Sequence, residues 1–134
     1  MTDERPCILV VDDDPDVLMM LGIALRRVGY QPHLVATLDA ALHVLATTPV
    51  AMILTDYGLR QHTARQVIEQ AQHRTPAPII VLMTGHSWEI LADHLCTLPI
   101  TAFLAKPFAL DTLYQTLSRC LEMPQHTPHP MAEP

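Results

Sequence analysis

Short apolar runs of strand length alternate with longer segments of helical spacing along most of the chain. This alternation restricts the fold more than any other feature. The runs are Cys7–Val11, His33–Val35, Val50–Thr55, Ile79–Met83 and Thr101–Ala105. The first, third and fourth are nearly continuous in apolar residues, the pattern of parallel strands covered on both faces. Val17, Leu18, Leu21, Leu25 and Val28 recur at three to four residues and predict a first helix. Asp14 is placed to cap it, Pro15 suits its first turn and Gly29 its stop. Leu38, Ala41, Leu42 and Leu45 form a second stripe, ended by Pro49. A third helix is predicted over Thr63–His73, with Ala64, Val67, Ile68 and Ala71 as its buried residues. A fourth is predicted over Ser87–Cys96, and a last one carries Leu110, Leu113, Leu117 and Leu121.

Five β-α units in order predict an α/β fold, a doubly wound parallel sheet with right-handed crossovers and helices on both faces. About 120 residues is too short for an eight-stranded barrel. The length of 134 residues fits one domain, assigned to residues 1–121. Residues 122–134 hold four prolines, two histidines and no periodicity, and read as a disordered tail.

Composition removes several function classes. No apolar run approaches the ~18 residues of a membrane span, and the mixed charge of Met1–Arg5 with no long apolar stretch after it argues against a secretory signal. Three cysteines (Cys7, Cys96 and Cys120) without CxxC spacing argue against a disulfide framework and fit the cytoplasm. The thiols read as small apolar fillers. The net charge is −6, and seven arginines and one lysine form no run, which argues against nucleic-acid binding.

In open α/β sheets the working site lies beyond the C-terminal ends of the strands. After the first predicted strand come Asp12, Asp13 and Asp14. After the third come Asp56, Tyr57 and Gly58, after the fourth Thr84 and Gly85, and after the fifth Lys106 and Pro107. The second strand ends in Ala36 and Thr37, which read as inert. Carboxylates brought close together repel unless a cation or proton intervenes. A hard divalent ion such as Mg²⁺ suits Asp12, Asp13 and Asp56, and Lys106 can offset charge from the other side. With such an ion near, the Asp56 carboxylate can attack phosphorus, and Thr84 and Lys106 can hold phosphoryl oxygens. Asp14 and Asp16 read as an ordinary acidic helix N-terminus. The eight histidines read as surface or partly buried residues, and Met19 and Met20 as core and surface of one helix. Tyr57 and Trp88 flank the site, either as packing or as shapers of access.

Four segments carry a resemblance: Ile8-Leu9-Val10-Val11-Asp12-Asp13, Ile53-Leu54-Thr55-Asp56, Val81-Leu82-Met83-Thr84-Gly85 and Phe103-Leu104-Ala105-Lys106-Pro107-Phe108. In this order and at these separations the chain resembles the receiver domain of bacterial two-component response regulators over about residues 6–121, of the single-domain, chemotaxis-regulator kind. The resemblance implies a flavodoxin-like receiver fold with five strands and five helices. It implies that Asp56 is the phosphoacceptor and that Asp12, Asp13, Asp56 and the Gly58 carbonyl hold Mg²⁺. It further implies that Thr84 is the switch hydroxyl, Phe103 the switch aromatic, and Lys106-Pro107 a cis bond. The implied donor is a sensor histidine kinase or histidine phosphotransfer protein. The implied output is a protein target met through the fourth helix, fifth strand and fifth helix, a face through which receivers also pair as homodimers. Such a chain is a switch that assists its own phosphorylation and dephosphorylation, not a turnover enzyme. Two positions depart from the family: Arg60 stands where it usually has proline, and Ala64 where it often has glycine. These leave open a receiver-like docking module that is not phosphorylated. A haloacid-dehalogenase-type phosphatase needs Thr or Val where Asp16 stands, and three aspartates after the first strand would repel the phosphate of a flavodoxin's FMN.

Overall fold

The structure, a computed structural model, describes residues 5–57, 61–85 and 98–122. Five strands form one parallel sheet: β1 (Cys7–Val11), β2 (Gln31–Val35), β3 (Met52–Asp56), β4 (Ile79–Thr84) and β5 (Ala102–Ala105). Four helices are described: α1 (Pro15–Arg27), α2 (Leu38–Thr47), α3 (Gln61–Ala71) and, after β5, α4 (Leu110–Glu122). The helix predicted over Ser87–Cys96 and the predicted tail lie outside the described residues, apart from Glu122, whose backbone closes α4.

Strand periodicity sorts the apolar residues onto two faces, because successive side chains on a strand point to opposite sides. Leu9, Val11, Ile53, Ile80 and Leu82 face α2 and α3, and pack with Ala41, Leu45, Ala64, Val67, Ile68 and Ala71. Ile8, Val10, Met52, Leu54, Val81, Met83 and Leu104 face α1 and α4, and pack with Leu21, Leu25, Leu113 and Leu117. The inner strands are buried on both sides, hence their unbroken apolar sequence. Ala64 is fully buried in the contact between α3 and the sheet.

The strand order is β2-β1-β3-β4-β5. The second strand therefore lies at an edge, where Pro32 costs no ladder hydrogen bond on the outer side. β1 is flanked by β2 on one side and β3 on the other. Chain progression reverses direction there, and the loops after β1 and β3 part to opposite faces and leave a crevice.

The ends of α1 follow the sequence reading. Asp14 is extended and its carboxylate accepts the Asp16 N–H at 2.9 Å, while Pro15 opens the first turn. Beyond the last turn Gly29 takes φ +95, a conformation that side chains rarely adopt. Midway along α1, Gly22 lets the helix sit close on β2, since a Cβ there would lie 2.8 Å from Leu34. Lys106-Pro107 is cis, and Thr75-Pro76 is cis as well. Met19 and Met20 are both exposed, so the division into one core and one surface methionine is corrected. The buried stripe of α1 is centred on Leu21 and Leu25, leaving both methionines on its outer side.

Candidate functional site

The sheet ladder runs past the strand ends and fixes the backbone of the site. The Asp12 N–H donates to the Val35 carbonyl at 3.1 Å, the Tyr57 N–H to Met83 at 3.0 Å, and the Lys106 N–H to Thr84 at 2.8 Å. Asp12, Asp56 and Lys106 are thus held by three different strand pairings and meet at one edge. Their positions inherit the rigidity of the central sheet.

Lys106 joins them. Its ammonium donates to Asp12 Oδ2 at 2.9 Å and to Asp56 Oδ1 at 3.1 Å. The other Asp12 oxygen accepts the Asp14 N–H at 2.9 Å. The Asp12 side chain is 1% exposed, Asp56 12% and Lys106 25%. Charge-assisted hydrogen bonds in such a setting are short and strong. Burial acts to lower the Lys106 pKa, but the hydrogen bonds to Asp12 and Asp56 and their two negative charges outweigh it and hold the ammonium above its ordinary value. Lys106 is therefore a fixed positive charge at neutral pH.

Asp12, Asp13 and Asp56 each offer an oxygen, and these oxygens lie within 4.8 Å of one another. Octahedral Mg²⁺ with bonds of ~2.1 Å holds neighbouring oxygens about 2.9 Å apart and opposite ones about 4.2 Å apart. The 4.8 Å span of the three carboxylate oxygens is close to the distance between opposite ligands. All-oxygen, anionic donors are the set a hard cation prefers. The donor set thus fits the ion that the sequence suggested. Gly58, the remaining ligand implied by the resemblance, lies outside the described residues, as do Arg60, His86, Trp88, His94, Cys96, His126 and His129.

Thr84 closes β4 at 3% exposure, and Phe103 on β5 is half-buried against the α2/α3-side core. Phe103 pairs with Leu82 and Ala105 with Thr84, so Thr84 and Phe103 occupy the same face of the sheet. Tyr57 is 2% exposed and belongs to that same core, so it acts as packing. Cys7 and Cys120 are buried fillers whose thiol pKa burial pushes up.

The sequence reading missed one lining. Ala36, Thr37 and Leu38 join Val11, Asp12, Asp13 and Asp56 around a cleft of ≈ 20 Å³. The segment that looked inert is a wall of the site. Thr37 also caps α2, its hydroxyl accepting the Ala40 N–H at 3.2 Å. A Thr immediately before the helical stripe that opens at Leu38 was the available signal.

The fold and this edge define an open α/β protein with an anionic, cation-ready cleft at its topological switch point, facing one fixed ammonium. The profile of the response regulator receiver domain matches residues 8–118. The chain is 30% identical over 130 residues to the photosynthetic apparatus regulatory protein RegA of Rhodovulum sulfidophilum, covering 96% of this chain and 71% of that one. Among solved structures it is similar to the signal receiver domain of an HD domain-containing protein from Pseudomonas fluorescens, with TM-score 0.79, 27% identity, and 92% and 98% of the two chains covered. It is also similar to the receiver domain of a sensor histidine kinase from Pseudomonas aeruginosa, whose structure holds a magnesium ion in the active-site cleft (TM-score 0.74, 25% identity, 89% and 99% covered). The chain belongs to the response regulator receiver domain family and has the phosphoacceptor signalling fold of two-component systems. It spans only 28% of the length of another relative, the transcriptional regulatory protein GlrR of Escherichia coli. No described helix is long and apolar enough to cross a membrane.

Proposed function

We propose that the chain accepts a phosphoryl group on Asp56 from a phosphohistidine of a sensor histidine kinase or histidine phosphotransfer protein. The observation that carries this reading is the double contact of Lys106, 2.9 Å from Asp12 and 3.1 Å from Asp56, beside three carboxylates within one ligand shell. Asp12, Asp13, Asp56 and the Gly58 carbonyl would hold Mg²⁺, which when bound neutralises the acidic cluster and the incoming phosphoryl oxygens. An Asp56 carboxylate oxygen attacks phosphorus, and the P–N bond to the donor imidazole breaks; that ring, protonated on its other nitrogen in the phosphohistidine, takes the bonding pair and leaves as neutral imidazole. Lys106 balances charge on a phosphoryl oxygen as a point charge, and the Thr84 hydroxyl donates to another.

Thr84 and Phe103 share a face of the sheet, which supports a coupled switch. Thr84 moves toward the phosphoryl group, and Phe103 turns into the space it leaves. This biases a two-state surface made by the predicted fourth helix, β5 and α4, where a downstream protein binds. Residues 1–121 form the signalling domain, with residues 122–134 outside it. The chain acts in the cytoplasm as a switch and does not turn over an external metabolite.

The test is incubation with acetyl phosphate and Mg²⁺, followed by intact-mass measurement. A single phosphoryl adduct that disappears in Asp56→Asn supports the reading. No adduct in the wild-type chain sinks it and favours a docking module that is not phosphorylated.

A further inference from the structure

A cavity of ≈ 890 Å³ opens at the N-terminal rim of the sheet, the end opposite the acidic cleft. It is framed by the entry to β1, the turn from α2 into β3 and the turn from α3 into β4. Ladder hydrogen bonds join these three walls. The Ala51 N–H donates to the Cys7 carbonyl at 2.9 Å, and the Ile79 N–H to the Ala51 carbonyl at 3.0 Å. The hollow is therefore formed in advance, and filling it demands little reordering of the chain. Its volume falls in the range of small-molecule sites, whereas the acidic cleft holds only ≈ 20 Å³.

The lining joins apolar surface to positive charge. Leu45 and Val50 extend the α2/α3-side core to the cavity, and four prolines stand in its walls. Proline has no amide hydrogen, so the backbone offers no donor at those positions. The Thr47 hydroxyl, also in the lining, already donates to the His43 carbonyl at 2.8 Å. The charged side chains of the lining are Arg5 and Arg74, both exposed, and among the described residues no aspartate or glutamate faces them there. The chain as a whole has fourteen acids against eight Lys and Arg, so a cavity ringed by cations alone runs against its overall charge. A guanidinium presents five donors in a planar fork that matches carboxylate or phosphate oxygens, and a contact elsewhere does not exhaust them.

We propose that this cavity binds a small organic acid, its anionic head held by Arg5 and Arg74 and its apolar body laid on Leu45 and Val50. The lining selects for both parts together. An inorganic anion leaves the apolar floor in water, and a neutral apolar molecule leaves the guanidiniums without an acceptor. Carboxylate and phosphate heads share the fork geometry, and the probes below distinguish them. The site lies at the far end of β3 from Asp56, so it is a binding function separate from phosphoryl transfer.

The test is titration of the full chain, without Mg²⁺, followed by calorimetry and by amide NMR. The probes are 4-phenylbutyrate and phenyl phosphate, with 4-phenylbutanol as the body alone and inorganic phosphate as the head alone. The expected result is that at least one acid binds at a single site and shifts the amides of Cys7, Ala51 and Arg74. That acid binds at least about tenfold more tightly than the alcohol or inorganic phosphate, and the tighter of the two acids identifies the preferred head. Arg5→Gln and Arg74→Gln each weaken it by about tenfold. Both side chains are exposed, and circular dichroism verifies folding. No saturation with either acid up to high millimolar concentration overturns the proposal. Equal binding of the alcohol overturns it too, as do binding that both Gln variants leave unchanged and shifts confined to the opposite end of the strands. The acetyl phosphate adduct at Asp56 is read separately, so neither result decides the other.

Discussion

The Lys106 ammonium lies 2.9 Å from Asp12 Oδ2, although the two residues are 94 positions apart in the chain. Neither side chain could be so buried without the other. Asp12 is 1% exposed, and a carboxylate removed from water needs both a countercharge and hydrogen bonds. Lys106 supplies the first and, with the Asp14 N–H, the second.

Lys106→Met is expected to leave the buried Asp12 carboxylate and the partly buried Asp56 carboxylate without this cation. Breaking the pair on one side destabilises the metal-free fold by about 1–3 kcal/mol, less than for a wholly buried pair because Lys106 retains some water contact. Urea denaturation reads the stability. The acetyl phosphate adduct should form at least about tenfold more slowly, since a charge-assisted contact to a phosphoryl oxygen is lost. An unchanged rate would remove Lys106 from the proposed chemistry.

Asp13→Asn is expected to separate repulsion from metal binding. It lowers the negative charge within the cluster, so the metal-free protein gains thermal stability. Mg²⁺ at about a hundred times its Kd is expected to stabilise the wild-type fold by about 2.7 kcal/mol, and the variant should lose most of that gain. Melting curves with and without Mg²⁺ measure both effects. Equal Mg²⁺ shifts in the two proteins would show that Asp13 is not a ligand.

Leu54→Ala is expected to destabilise the fold by about 2–5 kcal/mol. Leu54 is fully buried on a central strand, between Val10 and Val81, on the face that packs α1 and α4. Chemical denaturation gives the value, and a loss under 1 kcal/mol would contradict the packing described for the α1/α4 face.

Stability is expected to fall at alkaline pH, and the sign follows from three groups. Burial raises the thiol pKa of Cys7 and Cys120 above their ordinary 9.0, and Lys106 is raised above its ordinary 10.5. In each case the folded state binds the proton more tightly than the unfolded chain. The contribution is complete below the unfolded value and is lost as pH rises through the folded one. The thiols act first, from about pH 8.5, and the ammonium above about pH 10. Denaturation midpoints from pH 7 to 11 should decline, and more shallowly through pH 9 in Cys7→Ala/Cys120→Ala. A flat profile would contradict the assigned directions.

Much of the architecture was legible because it depends on local pattern. Unbroken apolar runs marked strands buried on two faces. The 3.6-residue period selected the buried side of α3, where Ala64, Val67, Ile68 and Ala71 are at most 1% exposed. Asp14, Pro15 and Gly29 bounded α1 through backbone chemistry that acts within a few residues. The candidate site was legible for a related reason: in an open parallel sheet, the residue after a strand has few places to go.

What the local pattern lacked was lateral information. Periodicity says that a strand is buried or half-buried but not which strand lies beside it, because pairing is decided by packing between distant segments. So the second strand's place at the edge, and the site wall formed by Ala36, Thr37 and Leu38, emerged only in three dimensions. The same holds for Met19 and Met20, whose shared exposure depends on how α1 is rotated against β1 and β2. The sequence by itself determined the elements, the order of the strands along the chain and the chemical identity of each strand-end residue, since these follow from spacing and side-chain type. Only the tertiary structure decided that β1 lies between β2 and β3, and hence that Asp12, Asp56 and Lys106 come within hydrogen-bonding distance. Coulomb attraction and desolvation act through space, and no spacing along the chain encodes a distance between residues 12 and 106.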